Sequence, residues 1–591
     1  MIPMMEEPQN NAESPRDPES RPAESRPPES RPDDAPSSEA APETPALAEQ
    51  PPTAPAAPPV SGCGGAGKKK AKPDESFKET LISIIMSFAM VFIFTRFVVA
   101  SYVIPTGSMA PTLMGAHMRF WSADTGAEWP VNFWHFGMRG GQQVPLPVQG
   151  DSRRPDTGPV AVSDPYTDMQ IPPGEQRDIP LRAGDRILVL KHIYALREPR
   201  RWEVAVFKYP GFAKENYIKR IVGLPNEDIL LIDGDIFTRP VVDGSSEDQA
   251  WSVRRKPARI QRDLWYTIYS SEHRPAREEI GGRRWQDRWI GAGLEADGPR
   301  YRADDASPAR LRWNPQIRLI NDWVSYNNMP RVDPNSSFPI SDLRLRAGVA
   351  PDSAGLSLQF IISARMFIFE GAIEDGRAVV RMRSDTAGPE SEWVELDSAD
   401  IGDLPAGRVT DIEFWHVDQS LQLWIGGELV ASGTYDWTPE ERLARALRPR
   451  ADSGAIHDPN MYMRTGVEMR FSGSPVTLHR VGLDRDLYYQ PAMMSMDGGP
   501  RRVPGWGTDP DEPFRLGPDQ FFMLGDNSPA SGDSRAWRTV DPWVANQVDD
   551  TPGVVHRELI MGKAFFVFWP SFHKGLAPIW VPDFGRMRMI R

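Results

Sequence analysis

At 591 residues the chain exceeds one ordinary domain, and its 40% hydrophobic and 10% aromatic residues are enough for several cores. A formal net charge of −13 excludes nucleic acid as the main partner, because phosphate binding needs a basic surface. A single cysteine, Cys63, excludes an internal disulfide and a Cys-rich zinc site. The nine histidines form no HExxH pair or other close ligand spacing, so neither a metal nor a cofactor is expected.

Residues 1 to about 67 are rich in Pro, Glu, Ser and Ala, with a short repeat at Glu19-Ser20-Arg21-Pro22, Glu24-Ser25-Arg26-Pro27 and Glu29-Ser30-Arg31-Pro32. Such a segment has too little apolar surface to offset chain entropy, and residues 1–76 are predicted to be a disordered tail. Lys68, Lys69, Lys70 and Lys72 precede an apolar run from Leu81 to Val103. About 20 apolar residues cross a bilayer as a helix, so a transmembrane helix is predicted over 77–103. Arg96 interrupts the run near its far end, where a long side chain can reach the interface. Positive residues stay cytoplasmic, which places the tail in the cytosol and everything after Val103 outside.

Beyond the span, helical periodicity is scarce and short β-rich runs separated by Gly, Pro, Asn and Asp are common, so the fold class is mainly β. Examples are Arg186 to Leu190, Val204 to Phe207, Ile229 to Ile232 and Ala564 to Phe568. In the middle of the chain Ile412 to Val417, Leu421 to Ile425 and Glu428 to Ala431 form a meander. Its Gly426-Gly427 is a strong hairpin signal. With Leu356 to Ser363 and Arg365 to Glu370 as further strands, this region is predicted to be a β-sandwich resembling laminin-G/concanavalin-like jelly rolls. Residues 115–180, rich in Gly, Pro and Trp, form a second, irregular insertion.

Just after the apolar run comes Ile104-Pro105-Thr106-Gly107-Ser108-Met109-Ala110-Pro111-Thr112-Leu113. Two prolines limit this backbone, Gly107 permits a tight turn, and Ser108 falls close to the bilayer. The dipeptide Ser495-Met496, by contrast, is read as structural. A hydroxyl is a poor nucleophile without a base. Lys and Arg total 68, of which only about a dozen are lysine, so the chain prefers arginine for surface charge. Arginine cannot serve as a base, whereas a buried lysine can lose its proton. Of Lys191, Lys208, Lys214 and Lys219, the last is flanked by apolar strand residues in Tyr217-Ile218-Lys219-Arg220-Ile221-Val222-Gly223.

Together these segments resemble the bacterial type I signal peptidases, serine–lysine leader peptidases. The serine box matches at Pro105, Gly107, Ser108, Met109, Pro111, Thr112 and Leu113. Gly184-Asp185 with Ile187-Leu188-Val189, then Val206-Phe207-Lys208-Tyr209-Pro210, look like the two boxes that follow. Lys219-Arg220-Ile221-Val222-Gly223-Leu224-Pro225 is similar to the lysine box, and Gly525-Asp526-Asn527-Ser528 with Ser531, Asp533-Ser534-Arg535 and Trp537 to the last one. The resemblance implies Ser108 as nucleophile and Lys219 as general base, with the Ser108 N–H and the Thr106 hydroxyl as oxyanion hole. Ser531 would hydrogen-bond and orient the lysine, Asp533 and Arg535 would form a supporting ion pair, and Gly525 and Asn527 would shape the loop.

The resemblance further implies a catalytic domain in two parts, 104–239 and 513–591, interrupted by the sandwich and its linkers over 240–512, about 270 residues. It implies removal of signal peptides from secreted preproteins with small side chains at the first and third positions before the cut. The place would be the inner (cytoplasmic) membrane, single-pass, with the N-terminus cytoplasmic and the catalytic domain on the periplasmic side. The partners are then the preproteins and the lipid bilayer, and a glycan or protein ligand of the sandwich is left open. The alternative is a membrane-anchored glycan- or protein-binding sandwich whose protease has decayed; intact Ser108, Lys219 and Ser531 speak against it. Departures exist. Arg201-Trp202-Glu203 stands where the family usually has Arg-Gly-Asp, so that turn is expected to differ. Ser528-Pro529-Ala530 replaces Arg-Asp-Asn, and Arg538 replaces a glycine.

Overall fold

The computed structural model describes residues 73–93, 97–132, 134–136, 143–145, 162–171, 179, 181–280, 282–327, 337–386, 388, 391–449, 453–491, 493–495, 502–571, 573–574 and 580–591. Residues 1–72 of the expected disordered tail, the lysine cluster, Cys63, Arg96 and Met496 fall outside them, and the end of that tail, 73–76, is helical rather than disordered. The chain divides after Ser76, and Phe77–Arg591 form one unit.

Pro73–Ile93 is a helix whose apolar side chains, Ile82, Ile85, Met86, Phe88 and Met90 among them, are exposed. The expected helix over 77–103 is corrected at its far end. Val99–Val103 is a β-strand, paired antiparallel with Arg186–Lys191 from Val99 opposite Leu190 to Val103 opposite Arg186. Val, Ala, Ser, Tyr and Val suit a strand whose neighbour supplies hydrogen bonds, and that tertiary pairing overrides the simple length of the apolar run. Among the described residues no helix is long and apolar enough to cross a membrane.

The larger of two sheets flanking the expected sandwich draws strands from both sides of it. Its spatial order is Val99–Val103, Arg186–Lys191, Ile560–Trp569, Val204–Lys208, Asn216–Gly223, Gln520–Leu524 and Val555–His556, with Arg588–Met589 also paired to Ile560–Trp569. Side chains alternate between faces along a strand. Val204 and Val206 therefore join a core with Ile187, Val189 and Ala564, while Ala205 and Phe207 join another with Ile221, Phe521 and Met523. A smaller sheet has the order Ser252–Val253, Asp235–Pro240, Glu227–Ile232, Phe514–Leu516. Outside the insert, the paired strands include Val99–Val103 and reach Ser252–Val253.

The insert is a sandwich of two antiparallel sheets over one core. One has the order Glu295–Asp297, Arg300–Ala303, Val476–Arg485, Leu343–Pro351, Thr410–Val417, Ser420–Ile425, Glu428–Thr434, with Tyr266–Ser270 also paired to Val476–Arg485. The other has Trp289–Ala292, Ala309–Trp313, Gly466–Ser472, Ser357–Ala364, Phe367–Glu374, Arg377–Ser384, Val394–Asp400. Leu421 and Leu423 of the expected meander are fully buried in the shared core with Phe360, Ile362 and Phe414. Ile425 faces Glu428 across Gly426 and Gly427, whose φ of 60° and 87° are those of the tight hairpin that glycine permits. In the second insertion His117–Trp121, Glu128–Asn132 and Leu181–Arg182 form a small sheet; most of its remaining residues lie outside those described.

Candidate active site

The site begins with a short loop held at both ends. Met109 and Leu113 are fully buried against Ile187, Val189 and Val204. The Ala110 N–H donates to the Gly107 carbonyl at 3.0 Å and the Leu113 N–H to Met109 at 2.8 Å, so the backbone around Ser108 is a closed turn. Gly184 lies against the Ile104 carbonyl with no room for a Cβ. Asp185, fully buried, accepts from the Met114 N–H at 2.8 Å, the Ser571 hydroxyl at 3.0 Å and Arg586 at 2.9 Å. That carboxylate ties the far end of the serine loop to the last segment of the chain, which gives the Gly184-Asp185 pair its physical reason.

Lys219 comes from the middle of Asn216–Gly223, on the face that also carries Tyr217 and Ile221, with Ala205 opposite in register. Its Nζ donates to Ser108 Oγ at 2.7 Å, across 111 residues of sequence. The amine is 3% exposed. Burial pushes it from the ordinary 10.5 down to about 8, against the opposing pull of Asp533 and Asp526 and with some help from Arg535. Lys219 has no ion-pair partner among the described residues, while its neighbour Arg220 pairs with Asp526 through two bonds of 2.8 and 2.7 Å, both side chains fully buried. An amine in that setting is close to the range where a base is useful.

The expected ion pair is present as a two-bonded contact. Arg535 Nε donates to Asp533 Oδ1 at 2.9 Å and Nη2 to Oδ2 at 2.8 Å, with both side chains out of solvent. Asp533 Oδ2 also accepts from the Gly525 N–H at 3.1 Å. Arg535 Nη1 donates to the Ser528 hydroxyl at 2.8 Å and the Gln490 carbonyl at 2.9 Å, so the unusual Ser528 has a defined task. A Cβ on Gly525 would fall 2.5 Å from the Ser108 carbonyl and against Ser531 Oγ. Asn527 touches the serine loop twice, its N–H reaching the Ser108 carbonyl at 3.0 Å and its Nδ2 the Gly107 carbonyl at 2.9 Å.

Two expected features differ. The Ser531 hydroxyl is buried beside Gly525 but has no hydrogen-bond partner among the described residues, so the bond expected to orient Lys219 is not formed. The turn at Arg201-Trp202-Glu203 keeps a glycine-like backbone. Trp202 sits at φ 74°, a region that L-residues avoid, with its ring 4% exposed. Thr106 is exposed and Ser108 half-buried.

Sequence reasoning missed three contributors. In the sequence Asp526 is one residue of a loop box, and its pairing with Arg220 on the strand beside Lys219 shows only in the fold. Asp185 belongs to a strand box, and its role as a clamp likewise shows only in the fold. Asn327, from the insert, exchanges amide hydrogen bonds with Asn527 at 2.7 and 2.8 Å; no motif surrounds it, and its partner lies 200 residues away.

Residues 170–253 and 488–569 match the family described as signal peptidase, peptidase S26. The gap between them is the sandwich. Lys219, Gly525, Asn527, Ser531, Asp533 and Arg535 fall inside the matched segments, and Ser108 and Thr106 before them. The chain is 35% identical over 93 residues to signal peptidase I of Pseudomonas aeruginosa, a match spanning 12% of this chain and 32% of that one. It is 23% identical over 178 residues to the probable signal peptidase I-2 of Synechocystis, spanning 28% of this chain and 78% of that one. Among solved structures, a carbohydrate binding module, CBM66, from Bacillus subtilis matches at 7% identity with a TM-score of 0.20, covering 33% of this chain and 95% of that one. The galectin LEC-6 of Caenorhabditis elegans matches at 14% identity with a TM-score of 0.16, covering 24% and 82%. Scores that low carry no conclusion about what the sandwich does.

Proposed function

We propose that this chain, two segments of which match the signal peptidase S26 family, is a membrane-anchored endopeptidase removing N-terminal signal peptides from exported preproteins. Ser108 is the nucleophile and Lys219 the general base. The observation that carries this reading is the 2.7 Å separation of Lys219 Nζ and Ser108 Oγ, with the amine buried and free of a carboxylate partner among the described residues.

In the uncharged state the amine accepts the Ser108 proton as Oγ attacks the scissile carbonyl. The tetrahedral oxyanion receives hydrogen bonds from the Ser108 N–H and the Thr106 hydroxyl, donors worth roughly 3 kcal/mol each where such groups have been removed. The lysine then returns its proton to the leaving amine, and water completes hydrolysis of the acyl-enzyme through the same base. The Ser531 hydroxyl, buried and without a hydrogen-bond partner among the described residues, is the orienting group of this reading. The cleaved bond follows small side chains at the first and third positions before it.

Membrane attachment is part of the reading. Exposed apolar side chains need an apolar surrounding, and from Leu81 to Phe92 the helix Pro73–Ile93 exposes Leu81, Ile82, Ile85, Met86, Phe88 and Met90. Lys68, Lys69, Lys70 and Lys72 precede it and orient the N-terminus to the cytoplasm, with the β domains on the periplasmic face of the inner membrane.

The test is cleavage of a purified preprotein by the full chain in detergent or bilayers, comparing wild type with Ser108→Ala and Lys219→Ala. Loss of processing in both variants, by at least about a thousandfold, is expected. Processing by both at the wild-type rate rejects the dyad.

A further inference from the structure

The insert reaches the serine loop directly. Ser325–Asn327 form a short 3₁₀ turn within the insert, held to its sheet by Tyr266. The Tyr266 hydroxyl lies 2.8 Å from Ser325 Oγ and accepts the Ser325 N–H at 3.1 Å. From this turn Asn327 Nδ2 donates to Asn527 Oδ1 at 2.8 Å, and Asn527 Nδ2 donates back to Asn327 Oδ1 at 2.7 Å. The other N–H of the Asn527 amide donates to the Gly107 carbonyl at 2.9 Å. Both amides are buried, at 4% and 1% exposure. Tyr326, which precedes Asn327 in the turn, occupies the space that a Cβ on Gly107 would need.

These bonds use both N–H groups of the Asn527 amide and engage its oxygen. With Asn327 in place, only one orientation of that amide satisfies all three contacts; the flipped amide sets oxygen against the Gly107 carbonyl. The Gly107 carbonyl and the Ser108 N–H belong to one planar peptide and point in opposite directions in its trans form. Fixing the carbonyl therefore fixes the direction of the N–H.

We propose that Asn327, supplied by the inserted sandwich region, is a positioning residue: through the Asn527 amide it sets the plane of the Gly107–Ser108 peptide, and so aims the Ser108 N–H at the developing oxyanion. The inserted region is then a working part of the catalytic geometry. The inference rests on the protease reading for its kinetic consequence, though not for its structural one.

The experiment uses the full chain, with Asn327→Ala, the near-isosteric Asn327→Asp, Asn527→Ala and the double variant Asn327→Ala/Asn527→Ala. Preprotein cleavage and hydrogen–deuterium exchange of the peptide spanning residues 104–113 are both read. Asn327→Ala and Asn327→Asp are expected to lower kcat by about ten- to a hundredfold with KM within about twofold, less than the loss of an oxyanion donor itself. Exchange in 104–113 is expected to rise in both. The double variant is expected to be no slower than Asn527→Ala, because Asn327 acts through that amide. Wild-type kcat and exchange in both Asn327 variants, or additive losses in the double variant, overturn the proposal. Exchange needs no turnover, so failure here is distinguishable from failure of the protease reading, which the Ser108→Ala comparison reports.

Discussion

Lys219 and Arg220 are neighbours on one strand and both are buried, yet only Arg220 has a carboxylate partner among the described residues. Burial disfavours both charges. Asp526 returns to Arg220 what desolvation takes and leaves it charged, while Lys219 faces a hydroxyl and is pushed down. Adjacent residues point to opposite faces of a strand, so two buried cations can be treated in opposite ways one residue apart.

The pH dependence follows with a definite sign. Only the uncharged amine accepts a proton, so kcat/KM for preprotein cleavage is expected to rise with pH to a midpoint near 8, falling about tenfold per unit below it. A rate profile flat from pH 6 to 10 contradicts this.

Stability carries the same signature. The folded value of Lys219 lies below the unfolded value of 10.5, so the folded state binds fewer protons between about 8 and 10.5. The penalty is full below about 8 and fades as pH rises through 10.5. Lys219→Met removes a cost on the order of 3 kcal/mol at neutral pH and is expected to raise Tm at pH 7, with the gain shrinking toward pH 10. Thermal melts at both pH values check it.

Asp533 is the carboxylate that most raises Lys219. Asp533→Asn keeps an acceptor for the Gly525 N–H but removes the charge. The midpoint of the rate profile is expected to move down by up to about one unit. Arg535, left buried without its partner, is expected to cost about 3 kcal/mol in denaturant unfolding. An upward shift of the midpoint excludes this account.

Gly525→Ala puts a methyl group 2.5 Å from the Ser108 carbonyl and against Ser531. Overpacking of this kind costs about 1 to 3 kcal/mol, and the carbonyl that must move belongs to Ser108, the proposed nucleophile. A loss of cleavage of at least about tenfold is expected beside that drop in stability.

Trp202→Gly separates two opposing effects. Glycine relieves a backbone at φ 74°, worth about 1 kcal/mol, but deletes a ring buried against Val222, Ile229 and Leu524, worth about 3 to 5 kcal/mol. The variant is expected to be less stable than wild type by urea unfolding.

The parts of the site legible in the sequence are those whose chemistry lies in contiguous residues. Ser108 sits between residues that shape its turn, and Lys219 shares its strand face with Tyr217 and Ile221, so each carries part of its environment in its own segment. The sandwich was legible because Leu421, Leu423 and the Gly426-Gly427 hairpin write their register locally. What escaped was set by pairing across the fold. The strand at Val99–Val103 continues an apolar run and is distinguished only by its partner, Arg186–Lys191. Asn327 has an unremarkable neighbourhood and gains its meaning from Asn527. Trp202 violates the local glycine preference because a core far along the chain accepts its ring.

Ile560–Trp569 hydrogen-bonds to Arg186–Lys191 on one edge and to Val204–Lys208 on the other. A nascent chain halted before residue 560 therefore holds Ser108 and Lys219 on two fragments with open edges, and the insert emerges from the ribosome in full before those fragments can join. In the proposed reading the Ser108–Lys219 dyad is complete only once Ile560–Trp569 has joined the two fragments.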